Sequence, residues 1–200
     1  YFDAPDMRLY HANERESPVR FKARMRSYPE ADDSPVVAEV KFRDGDIIRK
    51  TRTRMPSGDW ARGLRAGGGL DLDPFVVRMH RHDLRPVVLV DYRREAYMSR
   101  YDDYARVSID TTIQCQAATG LDLEGHPRRW RTVDTPLLTF TPTSPCVVEL
   151  KWADYAPPWM VQLTQSLNLT RHSFSKYCYS MLALADDHHR DYREAQSRWG

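Results

Sequence analysis

The sequence predicts a mainly β chain of the α+β kind, with antiparallel strands and a few helices. Three observations predict it. Side-chain character alternates along many short runs rich in β-branched and aromatic residues. An Asp-Gly pair joins two of those runs. Helical spacing of apolar residues is confined to one short segment mid-chain and to the C-terminal part.

Alternation marks strands at about 19–28, 35–43, 46–54, 86–97, 104–114, 136–141 and 146–152. The second and third join through Arg43-Asp44-Gly45-Asp46, where Asp-Gly supplies the positive φ that a tight hairpin needs. After the third strand, Ser57–Leu72 with Gly67-Gly68-Gly69 reads as a surface loop. A short helix follows, with Asp73 as N-cap, Pro74 at its first position and Phe75 to His80 in its body. Pro157-Pro158 introduces a helix whose stripe is Trp159, Met160, Leu163 and Leu167. A last helix starts near Phe174 and runs through Tyr177, Cys178, Met181 and Leu182 into the charged stretch Asp186–Arg198. Both apolar stripes read as core packing.

Two hundred residues, 41% of them hydrophobic, suffice for one domain with an ordinary core, and no linker or repeat divides them. The 30 Lys+Arg and 28 Asp+Glu nearly cancel, leaving +2. Bulk charge therefore does not mark a nucleic-acid binder, and a basic site must come from local clustering. Three cysteines without CxxC spacing suggest neither zinc nor a disulfide framework and point to a reducing, cytoplasmic setting. No apolar run approaches transmembrane length, which leaves room for a membrane-associated partner but not for a span in this chain.

The chemistry-bearing pattern begins at Val19. A period of two places Arg20, Lys22, Arg24 and Arg26 on one face and Val19, Phe21, Ala23 and Met25 on the other. Similar alternation recurs in Glu39-Val40-Lys41, in Lys50-Thr51-Arg52 and in Glu149-Leu150-Lys151. Tyr92 shares a face with Arg94, and Arg106 with Ser108 and Asp110. One charged face is usually the solvated side of a sheet. Several such faces converging would need water, carboxylate partners or an anionic ligand, because desolvating unpaired cations costs several kcal/mol each. Phosphate chains suit them, since Arg offers a planar fork and Lys a point charge. Glu39 and Glu149, each two residues before a lysine, are either ion-pair partners or ligands for a divalent metal that bridges phosphates.

Tyr1-Phe2-Asp3-Ala4-Pro5-Asp6, Lys22-x-Arg24-x-Arg26, Glu39-Val40-Lys41 with its hairpin and Tyr92-Arg93-Arg94 together resemble the VTC domain. Arg106 to Asp110, Val147 to Lys151 and Ser175 to Cys178 extend the resemblance over nearly the whole chain, in family order. The VTC domain belongs to the triphosphate tunnel metalloenzymes, a CYTH-like superfamily. The resemblance implies a closed antiparallel β-tunnel of about eight strands with helices packed outside and at the C-terminus. It implies one domain over 1–200, with the family's first strand and N-terminal helix preceding Tyr1. It implies that Arg24, Arg26, Lys41, Arg94, Arg106 and Lys176 act on phosphates in the tunnel, and that Lys22, Lys50, Arg52, Tyr92, Lys151 and Ser175 help bind substrate. Glu149, with Glu39, would hold Mn²⁺ or Mg²⁺.

The activity so implied is ATP-dependent polyphosphate polymerisation, in which the γ-phosphoryl group of ATP passes to a growing chain and ADP leaves. A terminal phosphate oxygen is already ionised near neutral pH, so positioning and charge neutralisation supply most of the catalysis. A tri- or nucleoside-triphosphate phosphohydrolase on the same tunnel and a non-catalytic polyphosphate sensor remain as alternatives. A closed tunnel argues against nucleic acid. One departure stands out: Thr111-Thr112 follow Asp110 where many relatives carry an arginine. His188-His189 reads as solvated, the glycine run lacks the Lys-Ser/Thr of a P-loop, and Trp60, Trp130 and Trp152 do not interleave with the basic rows as stacking aromatics would.

Overall fold

The computed structural model describes residues 1–28, 35–55, 74–102 and 104–185. The order is β1 (Phe2–Asp3), α1 (Arg8–Glu14), β2 (Val19–Arg26), β3 (Val36–Asp44), β4 (Ile47–Met55), α2 (Pro74–Arg81), β5 (Arg85–Pro86) and β6 (Val88–Met98). Then come β7 (Ala105–Ala117), β8 (Arg131–Thr132), α3 (Pro136–Thr139), β9 (Val147–Trp152) and α4 (Pro158–Ser166). A final helix, α5, covers 176–185. These residues form two compact units: Tyr1–Leu89 with Gln116–Trp130, and Val90–Cys115 with the chain from Arg131 onward.

The first unit is built on a five-stranded sheet in the order β4-β3-β2-β1-β5. Asp44 pairs with Ile47, so Gly45 and Asp46 form the turn; Gly45 alone takes the positive φ, 56°. Ala23, Met25, Val36, Ala38, Val40 and Met55 bury one face of the sheet with Leu9 from α1 and with Phe75 and Val76 from α2. Phe2 meets Phe75 edge to face, ring centroids 5.4 Å apart. Helix α1, absent from the elements expected from the sequence, is started by a buried carboxylate. Asp3 Oδ1 accepts the Leu9 N–H and Oδ2 the Tyr10 N–H, at 2.9 and 2.7 Å, placing negative charge at the helix N-terminus.

In the second unit, β7 runs between β6 and β8 and also pairs with β9. Ile113, Cys115, Val133, Met160, Tyr177, Cys178 and Ala183 are buried there. Met160 and Tyr177 confirm the two apolar stripes in part; Leu167 and Leu182 are exposed. Thr112 takes φ 53°, unusual for a β-branched residue, and just beyond it Asp134 Oδ2 accepts the Ile113 N–H at 3.1 Å.

The structure corrects the strand expected at 136–141. That segment holds the short helix α3, because Pro136 has no N–H for a ladder and sits well at a helix start, where Thr135 Oγ1 accepts the Leu138 N–H. Its apolar residues Leu137 and Phe140 lie exposed. The antiparallel, mainly β expectation holds, but among the described residues neither sheet closes into a barrel. The expected loop at Ser57–Leu72, the Asp73 cap, Trp60 and His188-His189 lie outside the described residues.

Candidate functional site

In the first unit the alternation of β2 acquires partners through register. Arg24 pairs across β3 with Glu39, and Glu39 pairs across β4 with Arg52. One step along, Lys22, Lys41 and Lys50 stand opposite one another in a second row. Arg20 with Arg43, and Arg26 and Arg54 flanking Val37, extend this face, whose described positions on the three strands include one carboxylate, Glu39. Like charges directly opposite on a sheet are unfavourable unless an anion relieves them.

Glu39 is 2% exposed. Its Oε1 accepts Arg24 Nη2 and Nε at 2.5 and 3.0 Å, and its Oε2 accepts Arg52 Nε at 2.8 Å, with Arg26 Nη2 at 3.5 Å. Burial works to raise its pKa; Arg24, then Arg52 and Arg26, overcome it and bring the carboxyl down to about 2. Arg24 also donates to the Tyr1 hydroxyl at 3.2 Å. Tyr1 was not expected at the site.

The second unit gathers Tyr92, Arg94, Arg106, Glu149, Lys151 and Lys176. Arg94 Nε and Nη2 reach Asp110 Oδ1 and Oδ2 at 2.5 and 2.7 Å, a two-point fork, and Lys176 from the start of α5 pairs with Asp110 Oδ2. The Tyr92 ring lies under both cations, 5.3 Å from Arg94 Cζ and 4.6 Å from Lys176 Nζ. On β9, Glu149 stands opposite Ser108 and Lys151 opposite Arg106. Glu149 Oε1 takes Lys151 Nζ at 2.8 Å and Oε2 lies 3.7 Å from Arg94 Nη2. Burial pushes the Glu149 pKa up, but Lys151, Arg94 and Lys176 hold it below the usual carboxylate value. Ser175 caps α5, its Oγ accepting the Cys178 N–H at 3.2 Å.

All the expected site residues therefore fall into two clusters, one per unit. Sequence reading missed Asp110 as a site member, although its parity with Arg106 was the available signal. The donor sets separate the two candidate metal ligands. Both Glu39 oxygens are taken by guanidinium donors, the geometry of a counter-ion. The Glu149 side chain is 41% exposed. It fits a hard divalent cation that takes one protein carboxylate and fills its remaining positions with phosphate oxygens and water. Among the described residues no three His, Cys, Asp or Glu side chains converge, so a cation there would depend on such outside ligands.

The VTC domain family matches residues 1–185. A relative, vacuolar transporter chaperone complex subunit 4 of Trypanosoma cruzi (strain CL Brener), is 31% identical over 113 residues, 54% of this chain. The chain spans 14% of the length of that relative. With the family motifs in order and the match running from the first residue to within the last helix, the chain belongs to the VTC domain family.

Proposed function

We propose that this chain is the phosphate-handling core of an ATP-dependent polyphosphate polymerase, a phosphotransferase that passes the γ-phosphoryl group of ATP to a growing chain. The observation that carries this is the cross-strand row Lys22–Lys41–Lys50 beside Arg24–Glu39–Arg52. Cations at successive strand positions match the repeating charge of a phosphate chain. The closed tunnel is part of the proposal and rests on the family resemblance.

In the second unit, Arg94, Arg106 and Lys176 would bind the transferred phosphate and stabilise its developing charge, and Tyr92 would support the two cations above its ring. Glu149 would hold Mn²⁺ or Mg²⁺, which supplies charge neutralisation across phosphate oxygens when bound. Lys151 helps hold the Glu149 carboxylate ionised and would release Oε1 when a cation binds there. The name of the relative, a complex subunit, supports partner proteins as part of the working assembly.

A second reading, a polyphosphate-binding module without turnover, is favoured by one observation: both candidate metal ligands already carry cationic partners. Incubating the full-length protein with ATP and Mn²⁺, and assaying long-chain polyphosphate and free phosphate separately, decides. Polymer is the expected product. Phosphate release alone would replace the polymerase with a phosphohydrolase, and tight polyphosphate binding without turnover would leave the binding module.

A further inference from the structure

Asp110 has no part in the chemistry just described, yet its position is among the most constrained in the second unit. It is 1% exposed and still ionised: burial raises its pKa, but Arg94 and Lys176 hold it below the usual value. It grips the Arg94 fork at two points and takes Lys176 from a helix 66 residues further along the chain. Its neighbours on the same face of β7 differ. Arg106 Nε and Ser108 Oγ are buried and have no hydrogen-bond partner among the described residues. Buried donors without a partner beside a satisfied carboxylate show that polar capacity on this face is spent unevenly, with Asp110 the member fully engaged.

We propose that Asp110 is a positioning residue of this phosphate site, fixing Arg94 and Lys176 over Tyr92 and tempering their joint charge so that a phosphate chain is aligned without being held too tightly to advance. The inference rests on the phosphate reading of the site. Its physical content is a trade. Removing one negative charge beside two cations strengthens anion binding. Binding that strengthens the ground state alone does not speed transfer, and loss of alignment slows it.

The test uses the full-length protein with Asp110→Asn, which keeps the shape and removes the charge. Tripolyphosphate binding is followed by calorimetry and ATP turnover by polymer formation. We expect tripolyphosphate to bind about tenfold tighter and kcat to fall about tenfold, so that KM and kcat drop together. A merely structural role would weaken both binding and turnover. Asp110→Glu, which keeps the charge but shifts it, should leave binding within about twofold while lowering kcat, and it carries the test if the Asn variant does not fold. If wild-type protein fails to bind tripolyphosphate, the phosphate reading itself falls. If wild-type binds and Asp110→Asn binds no tighter, or if Asp110→Glu turns over like wild type, the inference about Asp110 is overturned.

Discussion

The two clusters use the same residue types and arrive at different electrostatics. In the first unit one fully buried carboxylate, Glu39, is shared among three arginines, and the lysine row beside it adds charge of the same sign. In the second, two carboxylates divide the work. Asp110 is buried and pairs with both Arg94 and Lys176, while Glu149 is half exposed and pairs with Lys151. At the described cross-strand positions the first cluster thus has one carboxylate among many cations. The second is closer to balance, with a half-exposed carboxylate beside the buried one. The lesson is that carboxylate burial, more than the number of cations, separates the two electrostatic settings.

The comparison is broken most directly at its carboxylates. Glu39→Gln should cost on the order of 3 kcal/mol in urea unfolding, because three arginines lose a buried counter-charge. A loss as small as that of an exposed ion pair would mean that Glu39 is not what neutralises the row. Acid should give a related signal. The Glu39 carboxyl is depressed from 4.5 to about 2, so its contribution is complete above about pH 4.5 and is lost as the pH falls towards 2. Wild-type stability should therefore drop through that window, and Glu39→Gln should flatten the drop.

Smaller effects test the surplus of charge. Lys41→Ala, at the middle of the lysine row, should weaken polyphosphate binding about tenfold with little change in melting temperature. Equal affinity would remove the row from the binding surface. Smallest in stability should be Glu149→Gln, under about 1 kcal/mol, as expected for an exposed pair. The same change should abolish the Mn²⁺ dependence of turnover, and turnover that still rises with Mn²⁺ would exclude Glu149 as the metal ligand.

Much of this was legible in the sequence. The Asp-Gly turn predicted the hairpin of β3 and β4 and the period-two pattern predicted the two faces of β2; the structure supplied the register, which is held because a one-residue slip would move Ala23 and Met25 out of the core. The cationic face came with it. The α4 and α5 stripes were readable only in part, since Met160 and Tyr177 are buried while Leu167 and Leu182 are not. The helix α1 was missed because its first turn is stabilised by Asp3, a carboxylate five residues upstream that no capping pattern includes. The helix α3 was misread because Leu137 to Phe140 offer strand-like apolar residues, and the proline and threonine before them decided otherwise.

Sequence alone therefore determined which residues carry charge, which faces they occupy on each strand and which family the motifs belong to. Tertiary structure decided which charges meet. Glu39 and Glu149 look alike in sequence, each two residues before a lysine, yet one is enclosed by guanidinium groups from two neighbouring strands and the other stands at a half-exposed position on β9. Asp110 became a partner of Lys176 only when a helix from far along the chain reached β7. Alternation is a local property of the backbone, whereas burial and ion pairing depend on distances between strands and helices that no local pattern encodes.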